Sequence, residues 1–359
     1  MAGSALLKAR ARRLISIVIG VSLGLLPAAL THAATSADSG KRAVEQASEL
    51  FKAGDSDAAI AALQKAIEAG PPSAEAYYLL GQIYLKGKKK PHEAAEAFAH
   101  ALKLKPAYPA ALNDLAEVYL AQGKTAEAEQ SLKRAIEVDP KHEDSYVDLA
   151  RLYESRHEVP AAMDIYKRLL AVRPMNADGL FGLALLYEKQ GDNKSARDML
   201  ARLTKANPTH ADGWYQAGRL AERNNDLLEA AYYYRQAITA KPNLVDAHYN
   251  LGFILRSQNK PAEAEREFLE VIRYRPEYAE AHMNLGVVYT SMNKLEEAEQ
   301  EYEKAVALKP DYAEAHYNLG VFYELHRKDM PRALAQYHKY RNLGGRDDRV
   351  ERIIGTGGR

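Results

Sequence analysis

The heptapeptide Asp-Ala-His-Tyr-Asn-Leu-Gly occupies residues 246–252, and near-copies follow as Glu-Ala-His-Met-Asn-Leu-Gly at 280–286 and Glu-Ala-His-Tyr-Asn-Leu-Gly at 314–320. Each copy stands 34 residues after the one before, and the period extends outward over most of the chain. Pro71, Pro106, Pro140, Pro174, Pro208, Pro242, Pro276 and Pro310 are spaced by 35 residues once and then by 34 six times. In register with them, one small residue recurs as Ala47, Gly81, Ala116, Ala150, Ala184, Gly218, Gly252, Gly286 and Gly320. A second recurs as Ala59, Ala94, Ala128, Ala162, Ala196, Ala230, Ala264, Ala298 and Ala333. A fixed period of this length signals stacked units that bury a core only against their neighbours.

Within each unit, apolar residues recur at three- and four-residue spacing on both sides of a polar break such as Gln122-Gly123-Lys124, which predicts two amphipathic helices. The small residues mark where those helices cross, because a side chain larger than methyl would hold axes 8 to 10 Å apart from closing. Tyr or Leu three residues after the first small position, and a ring or Leu four after the second, fill the space beside the crossing. Examples are Tyr84, Tyr119 and Tyr289, and Phe98, Tyr166, Tyr234, Phe268, Tyr302 and Tyr337. The proline then ends the second helix and sets the turn into the next unit.

These positions together resemble the tetratricopeptide repeat. The resemblance implies an all-α fold, a right-handed α-solenoid superhelix of nine helix pairs, with units at 40–73, 74–108, 109–142, 143–176, 177–210, 211–244, 245–278, 279–312 and 313–346. Trp214 takes the family's aromatic position near the start of its unit. Repeats 2 and 9 each carry one extra residue, expected in the loops around Lys88 to Pro91 and Lys328 to Pro331, and repeat 9 ends in Gly344-Gly345 in place of proline. Residues 347–359 are expected to form a short capping helix, with Val350, Ile353 and Ile354 on its apolar side, and a frayed tail from Gly355.

Ahead of the repeats, residues 1–34 carry a basic stretch (Lys8 to Arg13), an apolar stretch (Leu14 to Leu30) and small residues before Ala34, the order of a secretory signal peptide. Residues 35–39 are expected as a linker. Cleavage predicts a periplasmic or secreted protein; retention of the apolar stretch, about long enough to span a bilayer, predicts an inner-membrane anchor facing the periplasm. Arg12-Arg13 partly matches a twin-arginine signal, so the export route stays open.

Composition narrows the function. The net charge of +1 contains +4 from the first 34 residues, leaving about −3 for the rest, and no field of one sign points to nucleic acid. The run Lys86 to Lys90, interrupted by Gly87, reads as a solvated loop. Cysteine is absent, which excludes disulfides, thiolate metal sites and a thiol nucleophile. With 23 Tyr against 6 Phe, most rings keep a polar tip suited to half-exposed packing. No phosphate loop, nucleotide fingerprint or serine-hydrolase elbow occurs, so neither a catalytic site nor a cofactor is expected.

Three in-register sets remain. His248, His282 and His316 lie on successive units, but equivalent atoms there stand roughly 10 Å apart while a shared zinc needs nitrogens at about 2 Å, so they are expected to pack helices. Acids at the second position (Glu75, Asp144, Asp178, Asp212, Asp246, Glu280, Glu314) suit the positive end of a helix dipole. At the sixth position stand Glu45, Asp114, Asp148, Gln216, Asn250, Asn284 and Asn318, and asparagine is a poor helix-interior residue.

Repeats 7 to 9 look most like those of O-linked N-acetylglucosamine transferases, where an asparagine ladder on the concave wall grips an extended polypeptide. The resemblance implies a partner-binding face of Asn250, Asn284, Asn318 and Gln216, with apolar contact from Tyr249, Met283, Tyr317, Phe253, Val287 and Val321. A carboxamide donates and accepts at once, so a ladder can satisfy peptide groups without reading side chains. The chain is therefore expected to be an exported scaffold for protein partners, with self-association open. The alternative is a membrane-anchored component of a secretion, polysaccharide-export or cytochrome-maturation machine.

Overall fold

The computed structural model describes residues 27–71 and 73–357, with side chains from Gly40 onward. Most of the expected signal segment, residues 1–26, lies outside the described residues. Residues 35–39 are not a linker: one helix runs from Pro27 to Lys52 and contains them. That stretch holds no proline or glycine before Gly40 to stop a helix.

The described chain consists of helices, turns and bends, and it forms two compact units, one through Pro174 and one from Met175. The first unit holds repeats 1 to 4. Its first helices are Pro27–Lys52, Ala74–Gln82, Pro109–Ala121 and Glu143–Ser155, each followed by a second helix at Ser56–Ala69, Pro91–Leu104, Thr125–Val138 or Val159–Val172. The second unit holds repeats 5 to 9. There Ala177–Lys189, Ala211–Arg223, Val245–Ser257, Ala279–Ser291 and Ala313–Phe322 precede Asn193–Ala206, Leu227–Ala240, Pro261–Tyr274, Leu295–Leu308 and Met330–Asn342. A last helix, Asp348–Thr356, is capped by the Asp347 carboxylate on the Val350 amide, and it buries Val350 against the end of the stack.

Each pair closes as the small residues predict. All nine alanines of the second small position are fully buried. At the first position, glycine stands beneath a ring: a Cβ on Gly81, Gly218, Gly286 or Gly320 would come within 2.5 to 2.8 Å of Phe98, Tyr234, Tyr302 or Tyr337, and one on Gly252 within 3.0 Å of Phe268. Ala47, Ala116 and Ala184 instead stand in repeats whose filler is Leu63, Leu132 or Leu200. Ala150 in Tyr166's repeat is the exception.

Every turn between paired helices contains one left-handed residue: Gly54, Lys89, Gly123, His157, Gly191, Asn225, Asn259, Asn293 and Lys328. The extra residues of repeats 2 and 9 were expected in these loops, but the chain absorbs them earlier. The first helices there end in π turns, Ile83–Gly87 and Tyr323–Arg327, where one residue is taken up by wider i→i+5 winding. Ile83 and Tyr323 stay buried as a result, so the apolar face keeps its register.

Turns between repeats are tied by the aromatic position. Tyr146, Trp214, His248, His282 and His316 each reach the carbonyl of the proline six residues back, at 2.8 to 3.1 Å. His248 and His282 also meet Glu267 (2.7 Å) and Glu301 (2.5 Å), and His316 meets Gln336. Both ring nitrogens are engaged inside the fold, in keeping with a packing role. Among the described residues no group of three acids or histidines is arranged to hold a metal.

Candidate polypeptide-binding face

In the second unit, the first helices of repeats 7, 8 and 9 contact one another in sequence, so their fifth, sixth, ninth and twelfth positions share a face. The sixth-position residues are largely consumed within it. Asn284, 2% exposed, donates to the Tyr249 hydroxyl (3.2 Å) and to the Glu280 carbonyl (2.7 Å) and accepts from Arg256 (2.5 Å). Both of its amide hydrogens and one lone pair are therefore occupied. Asn318 donates to the Met283 sulfur and half-buried Asn250 to the Tyr234 hydroxyl. Gln216, 8% exposed, donates to Glu188.

The first unit repeats the theme: Gln82 donates to Asp114 and Asn113 to Asp148, each across to the next repeat. Apart from Asn250, whose partner Tyr234 lies on a second helix, the in-register polar set thus stitches consecutive first helices together. This accounts for Asn284 in a helix interior, because a buried carboxamide whose hydrogens and oxygen are bonded strands no polar group and fixes the stacking register.

The apolar members divide. Met283 is 2% exposed and belongs to the core. Tyr249, Tyr317, Val287 and Val321 are half-buried, and Phe253 is 43% exposed, a large ring presented to solvent. Tyr249 lies 5.3 Å from Tyr278, and Tyr317 lies 5.2 Å from Tyr340, which fixes their rings. Burial, with the neighbouring Tyr278 and Glu280, pushes the Tyr249 phenol above its usual pKa, so it remains a neutral hydroxyl. Leu185 and Tyr215 continue the half-buried apolar row into repeats 5 and 6.

Three of the second-position acids have a cationic partner as well as a dipole. Glu280 pairs with Lys309 at 2.7 Å, Glu75 with Lys105 at 3.4 Å and Asp246 with Arg275 at 3.7 Å, each linking the start of a unit to its end. Lys309 and Lys105 also stand over the Tyr312 and Tyr108 rings at 4.9 and 4.4 Å.

Two cations on the face carry no mark in the repeat pattern: Arg219 at a ninth position and Arg256 at a twelfth. Arg256 lies over the Phe253 ring, 4.8 Å from its centre. In repeats with a tyrosine filler, the twelfth position serves that hydroxyl: Glu154 accepts from Tyr166 (2.6 Å), Glu222 from Tyr234 (2.7 Å) and Glu324 from Tyr337 (2.5 Å), while Thr290 lies 3.4 Å from Tyr302. Repeat 7 has Phe268, without a hydroxyl, and that is the signal in the sequence that releases Arg256 from this duty.

Models described as tetratricopeptide repeat match residues 44–109 and 181–244, 87–152 and 120–177, and 233–266, and one described as TPR repeat matches 288–326. Among solved structures, YrrB, a TPR protein with an unusual peptide-binding site, is 25% identical; the match covers 52% of this chain and 96% of that one with a TM-score of 0.47. The C-terminal part of a TPR repeat-containing protein from Cytophaga hutchinsonii is 17% identical over 67% of this chain and 99% of its own, with a TM-score of 0.54. The pilF protein of Pseudomonas aeruginosa is 17% identical over 60% and 96%, with a TM-score of 0.49. No curated protein matches the chain.

Proposed function

The chain belongs to the tetratricopeptide-repeat family, and from that premise we propose that it is an exported scaffold that holds an extended segment of a partner protein against the first-helix face of repeats 7 to 9. The observation that carries this is the row of Tyr249, Phe253, Val287, Tyr317 and Val321, where an exposed ring stands among half-buried apolar side chains on neighbouring helices. Such a row removes apolar area from water when a guest chain covers it, at about 25 cal/mol per Å². A scattered surface residue would offer no continuous strip. The asparagines contribute by setting the spacing of that row.

Export is supported by the basic, apolar and small-residue order of residues 1–34. It places the scaffold outside the inner membrane, in service of an envelope complex. The protein acts by binding and carries no cofactor in this account. Among the described residues no helix is long and apolar enough to cross a membrane.

A photo-cross-linking amino acid at position 253, compared with one at position 300 on the second helix of repeat 8, tests the site in cells. Discrete protein adducts from 253 and none from 300 are expected. Adducts of equal yield from both positions, or none from 253, would remove this face from the account.

A further inference from the structure

The charges of this face are unequally matched. Glu188 accepts from Gln216 and from Arg223 (2.5 Å), Glu222 from the Tyr234 hydroxyl, and Glu324 from the Tyr337 hydroxyl and Arg349 (2.6 Å). At the edge, Asp246 and Glu280 have Arg275 and Lys309, while exposed Asp212 and Glu314 sit in first turns, where the helix dipole favours them. Arg219 and Arg256 differ. Arg219 reaches only the Gln216 amide oxygen at 3.5 Å and Arg256 only that of Asn284 at 2.5 Å, and among the described residues neither guanidinium has a carboxylate within 4.0 Å.

Packing does not require a cation at either place. The twelfth position of repeat 7 has no hydroxyl to serve, yet a half-buried arginine stands there against Phe253. A guanidinium partly withdrawn from water and held by one neutral oxygen keeps most of its five donors for another acceptor. Its planar fork matches a carboxylate in two parallel hydrogen bonds, and such charge-assisted bonds strengthen where water is excluded. Covering Phe253 with an apolar side chain would exclude that water.

We infer, on the basis of the peptide-binding face proposed above, that the guest is an acidic–apolar segment: one carboxylate side chain pairs with Arg256 beside an apolar residue on Phe253, and a second carboxylate pairs with Arg219 one repeat earlier. Neighbouring repeats are spaced by about 10 Å and an extended chain advances about 3.3 Å per residue, so the two acids stand about three residues apart.

The test uses the full chain and three fluorescent, end-blocked peptides: Ser-Gly-Asp-Phe-Ser-Asp-Leu-Gly-Ser, the same with both Asp replaced by Asn, and the same with both replaced by Lys. Anisotropy titrations are run at about 0.05 M salt, where exposed charges are weakly screened. The Asp peptide is expected to bind at least tenfold more tightly than the Asn peptide, and the Lys peptide most weakly. Arg256→Gln is expected to bring the Asp and Asn peptides within threefold of each other, Arg256→Lys to retain part of the gap, and Phe253→Ala to weaken both equally. Arg219→Gln, on an exposed side chain, repeats the comparison should Arg256→Gln lower the helical content. Equal binding of the Asp and Asn peptides, tightest binding of the Lys peptide, or a gap that survives both Gln variants overturns the inference and leaves the apolar face standing. Failure of all three peptides, together with an absence of adducts from position 253, overturns both.

Discussion

The contact between Gly218 and Tyr234 sets up a test of how each repeat closes. A methyl group added at Gly218 would lie 2.6 Å from Cε1 and 2.7 Å from Cδ1 of Tyr234, a fully buried ring whose hydroxyl is held by Glu222. Overpacking of this kind costs about 1–3 kcal/mol, against a gain of about 1 kcal/mol from replacing a mid-helix glycine by alanine, so Gly218→Ala should be destabilised by about 1 kcal/mol. Tyr234→Leu removes part of a buried ring and the donor to Glu222, at about 2 kcal/mol. Together they recreate the Ala116 with Leu132 and Ala184 with Leu200 combinations that the chain already uses, and the methyl fills space that the ring has left. The double variant should therefore lose only about 1 kcal/mol where simple addition gives about 3, a favourable coupling of about 2 kcal/mol. Urea unfolding reads it out by circular dichroism and by the fluorescence of Trp214, the sole tryptophan, one turn ahead of Gly218. Two probes are needed because repeat arrays do not always unfold in one step. A double variant that equals the sum of the singles would refute the account of glycine here.

Four further outcomes follow from the same geometry. His157 holds a left-handed turn at φ +58°, so His157→Gly should raise stability by about 0.5–1 kcal/mol in urea, while Gly123→Ala, at φ +74° with nothing near its Cβ, should lower it similarly. Asn284→Ala should lose about 1–3 kcal/mol, by leaving Tyr249 and Arg256 without their partner; unchanged stability would return this residue to the role of a free peptide grip. Burial disfavours charge on the His248 ring, but its hydrogen bonds to Glu267 and the Pro242 carbonyl and the charges of Glu267 and Glu270 outweigh it and raise its pKa. The stabilisation is thus complete below the unfolded value of about 6.5 and is lost as pH rises through the folded value, so the gap in urea midpoint between wild type and His248→Gln should shrink from pH 5.8 to pH 8.5, and a constant gap would deny the charged pair. Finally, the mass of the protein recovered from its own cells should lack residues 1–33, and an intact Met1 would rule out cleavage.

What the sequence disclosed was whatever the repeat constrains identically in each unit. The buried alanines, the ring fillers and the prolines follow from two helices closing at one distance, so their positions recur at one period. The π turns at Ile83–Gly87 and Tyr323–Arg327 were not legible, because an inserted residue is visible as a change of spacing but not as a change of winding. Asn284 misled for a related reason. A residue type that can grip a peptide can equally grip Tyr249 and Arg256, and only burial separates the two uses.

A repeat array confines function to particular positions. Positions that close a helix pair are committed in every unit, so a site has to be assembled where one commitment lapses. The twelfth position is such a place. Glu154, Glu222 and Glu324 are held by the tyrosine hydroxyl beneath them, and a substitution there that removes the acceptor strands a polar group. Phe268 removes that demand in repeat 7, and the position is taken by Arg256, whose guanidinium turns to the ring of Phe253 and to Asn284 on the next helix. The Phe98 repeat is relieved in the same way but carries Leu85, so release permits a cation without dictating one. The chemistry proposed for this face accordingly rests on the difference between repeat 7 and its neighbours, while the neighbours supply the rigid spacing against which that difference is displayed.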